Sequence, residues 1–464
     1  MRFIAFLSFF LISQTSLLAT KFTVQVWVKA EQASGQHPLI LGNKLWDSSK
    51  VVDFTSNHNF GKSSESGLDH GWAFALQDNG AWAWNISDGE KRLDYLPTVE
   101  RQNICDGEWH HLVFTLSEKE ATATLYFDGS LVAIYSLKEL KKLNYIDLRR
   151  DSLVLGQEQV ELDTFAIDGR RLGRLQVETV YRQKSGIRKN KNRTKGGSFK
   201  VLNWNIWHGG RKDGLDGLKK TIGVIRKSKA DIVTMQETYG SGPIIADSLN
   251  MIYYYRSTNL GIFSKYPIIK THDLYEPFHF GGVTLQLPGR KQLHVFSTWL
   301  NYLPDIDASL SAPWPIDSIL QEEEKTRLKE INEILKSVDP LMKTTNEVPI
   351  IIAGDFNSPS HLDFIEETKA RHKDLIIEWP VSKTITALGF KDAFRKIYPD
   401  PSKNYGETWS PRFPESSQER IDHIYFTPSR LECTSAKMLN QASPQWPSDH
   451  AAVLATFKVV NWKD

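Results

Sequence analysis

Part-way along the chain, the stretch from Arg182 to Lys200 carries eight basic side chains and no acidic one, and it is broken by Gly186, Gly196 and Gly197. Such a segment has little apolar surface to bury and is read as a linker, assigned to residues 182–198. The fold must therefore be built from the pieces on either side, and these carry different hydrophobic periods. From Phe22 to about Tyr181 the period is two. Phe22 to Val28 alternates, Gly71 to Leu76 and Trp109 to Phe114 are further strand-like runs, and Leu125 to Phe127 meets the hairpin signal Asp128-Gly129 before Leu131 to Ile134. Helical periodicity is nearly absent there, which predicts an all-β antiparallel sandwich over residues 20–181. From Phe199 onward strands alternate with helices. Gly217 to Lys227 and Glu322 to Leu335 read as helical, the latter with an apolar face of Leu328, Ile331, Ile334 and Leu335. Strand candidates are 200–206, 231–235, 261–263, 283–287, 293–298, 350–353, 421–426 and 451–457. Residues 199–464 are thus expected to form one mixed α/β domain.

The 464 residues, 40% of them hydrophobic, are enough for two or three packed domains. With 57 Lys+Arg against 55 Asp+Glu, whole-chain charge gives no argument for a nucleic-acid partner. The basic stretch is either a solvated run or a contact for an anionic polymer or surface. At the N-terminus Arg2, the apolar run Phe3 to Ile12 and Leu17-Leu18-Ala19 predict an export signal over residues 1–19, and hence a secreted or periplasmic protein. That run is too short to span a bilayer and no later one is longer, so no transmembrane segment is expected. No cysteine near the expected cut supports a lipid anchor. Cys105 and Cys433, in different expected domains, are either separate thiols or an interdomain disulfide, and do not settle the compartment.

The strand from Phe22 to Trp27, the segment Asp106 to Leu112 and the hairpin Tyr126 to Gly129 give the first piece a resemblance to the laminin-G/concanavalin A-like jelly-roll domains. The resemblance implies a glycan or protein ligand, sometimes with Ca²⁺, or simple support of a neighbouring domain. No residue set singles out Ca²⁺. Trp72, Trp82 and Trp84 could form a sugar platform, although core packing is the commoner use of tryptophan at strand spacing.

Five short polar segments end or follow apolar runs in the second piece. They are Leu202 to Asn205, Met235 to Thr238, Gly354 to Asn357 after Ile350 to Ala353, Arg420 to His423, and Ser448 to His450. Together they offer carboxylates for a hard cation, amides to hold an anion, and an imidazole that an acid could orient, which is the equipment for metal-assisted phosphate-ester hydrolysis. In this order they resemble the recurring stations of the endonuclease/exonuclease/phosphatase superfamily, and Gly261 to Pro267 matches a further structural strand. The resemblance implies a four-layer αββα sandwich and a phosphoester substrate. Glu237 is the expected cation ligand, because Mg²⁺, with Mn²⁺ as the alternative, prefers carboxylate oxygen. By resemblance Asn205 lies near cation and phosphate, and Asp449 completes the cation site or holds a second ion. Asp355 orients or deprotonates the attacking water, Asn357 holds a phosphate oxygen, and His450 touches the scissile phosphate while Asp422 fixes its tautomer and raises its pKa.

Many relatives carry a histidine where this chain has Trp299, and some a tyrosine. An indole cannot shuttle a proton, so the leaving group must be served otherwise, with His208 and Tyr302 as candidates and Arg211 as a further substrate contact. Trp379, Trp409, Phe413 and Trp446 fall in loop-like sequence, where they could stack on substrate or pack inward. The expected activity is an exported, divalent-metal-dependent phosphodiesterase acting on an extracellular phosphorylated glycan or lipid head-group. A secreted DNA/RNA nuclease is the alternative within the same chemistry, and a glycan-binding or adhesion protein with an inactive phosphoesterase domain is the alternative of another class.

Overall fold

The computed structural model describes residues 21–31, 38–46, 69–141, 153–156, 160–187, 197–311, 315–442 and 445–461. The expected export signal and the central part of the basic stretch lie outside these residues. In the strand Lys21–Lys29 the alternating Phe22, Val24, Val26 and Val28 join Leu112 and Phe114 of His110–Ser117. They pack against Trp72, Phe74, Trp82 and Trp84 of a facing five-stranded sheet ordered Arg92–Tyr95, Trp82–Ser87, Gly71–Leu76, Leu39–Gly42 and Val154–Leu155. Phe114 sits under three rings of that sheet, 5.1 Å from Trp72, 5.5 Å from Phe74 and 5.8 Å from Trp84. All three tryptophans are fully buried, so they form the core and offer no sugar platform.

A helix, Arg174–Ser185, closes this half. Here the structure departs from the expected strand-then-linker reading. The helix buries only Val177 and Tyr181, one turn apart, with Leu175 left 73% exposed, so its apolar stripe is too thin to show as a period. Tyr181 stacks on Trp27 at 5.7 Å, and the Lys184 ammonium lies 4.9 Å from the centre of the same indole.

The second half has two sheets face to face. Six strands, Ile252–Tyr255, Gly261–Ser264, Ile232–Gln236, Ser198–Asn205, Ala452–Val459 and Leu431–Leu439, form one. The other runs Ile268–His272, Phe280–Gln286, Gln292–Trp299, Ile350–Asp355, Asp422–Phe426 and Lys391–Asp392. Period-two alternation sorts the side chains: Phe199, Val201, Ile232, Ile351, Ala353, Ile424, Val453 and Phe457 meet between the sheets. The alternate residues Leu202, Trp204, Val233 and Met235 face Leu218, Ile222 and Ile225 of the helix Gly214–Ser228. Ile350, Ile352 and Phe296 face Ile331, Ile334 and Val338 of Lys329–Met342 and Val381 and Ile385 of Pro380–Ala387. Helix, sheet, sheet and helix make the expected four layers.

The two halves are not merely tethered. Ser130–Ser136 pairs in parallel with Ile252–Tyr255, Ala133 opposite Tyr253 and Tyr135 opposite Tyr255. Eleven strands therefore form one continuous sheet, and a single apolar cluster runs through the junction. Tyr135 stacks on Tyr255 at 4.7 Å, and the buried Gln102 donates to Asp247 Oδ1 at 2.8 Å.

Candidate active site

The strands Ser198–Asn205 and Ile232–Gln236 are parallel, with Asn205 opposite Gln236, and so are Gln292–Trp299 and Ile350–Asp355, with Trp299 opposite Asp355. Their carboxyl ends lie at the same end of the facing sheets. Along the inter-sheet face, the alternation that places Phe199 and Val201 in the core next places Asn203 and then Asn205. Asn203 Oδ1 accepts from Thr234 Oγ1 at 2.9 Å and Gln236 Nε2 at 3.1 Å, and Gln236 Nε2 also donates to Ser297 Oγ of the other sheet at 3.0 Å. Polarity thus rises toward the strand ends, where Asn205, Glu237 and Asp355 stand. Gly354 is required by its neighbour within the sheet: a Cβ there would lie 2.1 Å from the carbonyl oxygen of Thr298, its partner on the adjacent strand.

Asn205 Nδ2 bridges two carboxylates, reaching Glu237 Oε1 at 3.2 Å and Asp355 Oδ2 at 3.1 Å, while its Oδ1 accepts from Trp207 N at 3.1 Å. In this orientation Asn205 is a hydrogen-bond donor joining the two sheets rather than an oxygen ligand. Glu237 follows its strand with φ +56°, a backbone region costly for such a residue. Its amide donates to Asn259 Oδ1 at 2.8 Å, its carbonyl accepts from Gly209 N at 2.7 Å, and its Oε2 accepts from His208 N at 2.9 Å. His208 Nδ1 stands 3.8 Å from the same Oε2. Burial lowers the His208 pKa and nearby Lys212 adds to this, against the pull of Glu237.

Asp422 pairs directly across from Asp355 in neighbouring antiparallel strands. His450 Nδ1 meets Asp422 Oδ2 at 2.8 Å, and its Nε2 lies 3.7 Å from Asp355 Oδ2. Burial opposes a charge on this ring, but Asp422, Asp355 and Asp449 outweigh it and hold the imidazole well above its ordinary pKa. Asp355 is pushed up to about 7, chiefly by burial and further by Asp422, against the opposing pull of His450. Asp449 is pushed up to about 7 by burial and by Glu237, again against His450. Asn357, with φ +48°, donates its amide to Asp355 Oδ1 at 2.9 Å and its Nδ2 to the Leu300 carbonyl at 2.8 Å. It ties the segment after Trp299 to the end of the strand Ile350–Asp355.

Asp355, Asp422 and Asp449 gather around one imidazole, with Glu237 acting on Asp449. Four buried or half-buried carboxylates against one cation are unfavourable unless they keep protons or gain a multivalent ion. Asp422 Oδ1 is buried with no hydrogen-bond partner among the described residues, as expected of a group facing a ligand. The donor set fits a hard divalent cation. Among the described residues Asp355, Asp422 and His450 bring ligand atoms within 4.8 Å of one another.

Of the expected substrate contacts, His208 joins the site. Arg211 is turned to Ser241, its Nε donating to Oγ at 2.9 Å, and Tyr302 stands 55% exposed at the rim with its ring 6.1 Å from Trp299. Trp379 and Trp446 are buried, which excludes them as stacking surfaces. Trp446 instead holds His450 from behind, because its Nε1 and that of Trp204 both donate to the His450 carbonyl, at 2.7 and 2.9 Å. Trp409 packs 4.9 Å from the His450 ring, and Phe413 lies between Trp409 and Trp207. Ser448, Thr408 and Asn259 were not singled out from sequence. Ser448 Oγ donates to the Asn205 carbonyl at 2.7 Å and accepts from His450 N at 3.0 Å, and Thr408 Oγ1 accepts from Asp422 N at 3.1 Å. Only the serine, inside a polar segment, carried a local signal. His279 is also new: it donates from Nδ1 to the Trp299 carbonyl at 3.0 Å and places an imidazole 5.7 Å from the Trp299 ring.

The endonuclease/exonuclease/phosphatase family profile matches residues 202–450, and that of the concanavalin A-like lectin/glucanases superfamily matches residues 9–170. An uncharacterized protein of Caenorhabditis elegans, F14F9.5, is 30% identical over 295 residues, covering 56% of this chain and 92% of its own. Among solved structures, truncated C. elegans TDP2 is 18% identical, covering 56% of this chain and 98% of its own, with a TM-score of 0.39. The human Nocturnin catalytic domain is 15% identical, covering 57% and 94%, also at 0.39. With the five polar stations gathered at one end of the facing sheets and the profile match spanning them all, this chain belongs to the endonuclease/exonuclease/phosphatase family, whose members hydrolyse phosphoesters.

Proposed function

We propose that the chain is a divalent-cation-dependent phosphodiesterase. The observation that carries this reading is His450 clamped between Asp422 and Asp355 beside the Glu237–Asp449 carboxylates. Glu237 and Asp449 would hold Mg²⁺ or Mn²⁺, which when bound polarises a phosphoryl oxygen and offsets charge that develops in the transition state. Asp355, with a pKa near neutrality, takes a proton from the attacking water. Asp422 keeps the proton on His450 Nδ1, so that the charged ring presents Nε2–H to the phosphate, and Asn205 Nδ2, bonded to both Glu237 and Asp355, holds the two carboxylates in place. His208, whose pKa is lowered by burial, and the exposed Tyr302 are the groups proposed to serve the leaving group in place of Trp299. A His208→Ala protein with unchanged kcat/KM would remove that residue from the scheme.

The substrate in this reading is a phosphodiester of exported material, a phosphorylated glycan or lipid head-group, and the segment from Arg2 to Ala19 supports the secreted or periplasmic placement. Trp207, with Lys212 4.8 Å and Arg412 5.1 Å from its ring, supports recognition of an anionic ligand with a flat or apolar part. The test is hydrolysis of bis-p-nitrophenyl phosphate and p-nitrophenyl phosphate with Mg²⁺, beside EDTA and His450→Ala, with DNA and RNA as further substrates. Metal-dependent turnover of the diester, lost in the variant, is the expected result. Folded protein with no turnover of any of the four would count against it, and preference for DNA or RNA would move the substrate to nucleic acid.

A further inference from the structure

The hairpin tip Arg256 to Leu260 touches the segment that carries Glu237 on one side and the β-sandwich on the other. On the catalytic side Asn259 Oδ1 accepts from Glu237 N at 2.8 Å and the Asn259 carbonyl from Thr238 N at 3.0 Å. The Thr258 carbonyl accepts from Tyr239 N at 2.9 Å and from Thr238 Oγ1 at 3.1 Å. Glu237 and Tyr239 have φ of +56° and +33°, a costly backbone shape that the tip's hydrogen bonds help to hold, beside the Ser241 N to Thr238 carbonyl turn and the Gly209 N bond to the Glu237 carbonyl. On the sandwich side a single carboxylate seizes the tip. Glu139, just beyond the strand Ser130–Ser136, accepts at Oε2 from Thr258 N at 3.1 Å and from Tyr255 Oη at 2.5 Å, and its Oε1 lies 3.4 Å from Thr258 Oγ1. Ser136 Oγ accepts from the buried Arg256 Nη1 at 3.2 Å at the start of the same tip.

We propose that Glu139 of the β-sandwich is a positioning residue of the hydrolase site, acting through Thr258 and Asn259 to set the backbone from which Glu237 presents its carboxylate. The sandwich is on this account a structural part of the active centre, reached through its junction rather than through a ligand of its own. The inference rests on the assignment of Glu237 as a cation ligand for its effect on metal affinity, but not for its effect on the backbone.

The experiment uses the full chain as wild type, Glu139→Ala, Glu139→Gln, Glu237→Ala and Gln102→Ala. The last breaks a junction contact that does not touch the tip. Two quantities are read: Mn²⁺ affinity by titration, and hydrogen exchange of the Glu237 and Tyr239 amides in metal-free protein. Glu139→Ala is expected to weaken Mn²⁺ binding about tenfold, the scale for removing a partner that orients a ligand, and to speed exchange at both amides. Glu139→Gln restores part of each, and Gln102→Ala lowers Tm without moving either. Unchanged exchange in Glu139→Ala would overturn the proposal whatever the metal does, as would equal loss in Gln102→Ala. Glu237→Ala protein that binds Mn²⁺ like wild type would instead refute the ligand assignment and leave exchange as the deciding measurement.

Discussion

Two indole N–H groups, one serine hydroxyl and one carboxylate fix His450, and its charge follows from that fixed place among Asp422, Asp355 and Asp449. Asp422→Asn keeps the shape but removes the group that favours a charged ring with its proton on Nδ1. It should lower kcat by about 100- to 1000-fold while leaving Tm within a few degrees, checked by steady-state kinetics beside thermal melts. Asp355 and Asp449 make a second prediction. Both are raised to about 7, above the ordinary carboxylate value, so the stability they contribute is fully present below about pH 4 and is lost as pH rises through 7. At Asp449, the one of the two proposed to hold the cation, Mg²⁺ must displace a proton below about pH 7 and meets a bare carboxylate above it. The rise in Tm produced by Mg²⁺ should therefore be larger at pH 8 than at pH 6, and an equal rise at both would contradict the placement of Asp449 at the cation.

At the scale of elements, the site exists because strands of different sheets end together. The strand Ile350–Asp355 alternates Ile351 and Ala353 toward the inter-sheet core, and the next residue on that face is Asp355. A slip of one residue would turn the carboxylate into the helix layer. Gly354 guards that register, since any side chain would strike the Thr298 carbonyl. Gly354→Ala should cost about 2 kcal/mol or more, read as a fall in Tm, and should lower activity along with it. The helix Arg174–Ser185 shows the converse: with only Val177 and Tyr181 buried, an element can be real without a legible period.

Across the whole molecule, eleven strands run through both halves, and one apolar cluster contains Trp82 and Phe114 of the sandwich together with Trp204 and Tyr253 of the hydrolase domain. A shared core couples unfolding, so calorimetry of the full chain should show one transition; two well-separated transitions would mean that the junction contributes little. A fragment beginning at residue 197 would leave the strand Ile252–Tyr255 as an open edge bearing Tyr253 and Tyr255, both buried in the intact chain. It should be less soluble than the full chain and melt lower, checked by sedimentation and thermal melts.

Much of this protein was set locally. Period two before the basic stretch and mixed periods after it determined a β-sandwich and an α/β domain, and polar segments at the ends of apolar runs marked Asn205, Glu237, Asp355, Asp422 and His450, because strand alternation and the end of a strand are properties of neighbouring residues. Contacts between distant segments left no such trace. Trp204 and Trp446 grip the same carbonyl, yet nothing in their local sequence separates them from Trp409, which packs on the ring of His450. The titration of Asp355 near neutrality depends on burial and on a carboxylate and an imidazole far along the chain. The pairing of Ala133 with Tyr253 likewise belongs to neither strand alone. Strand sequences say which face is buried, whereas the choice of edge partner depends on packing around the whole junction, and so only the tertiary structure decided that the sandwich meets the hairpin tip that contacts Glu237.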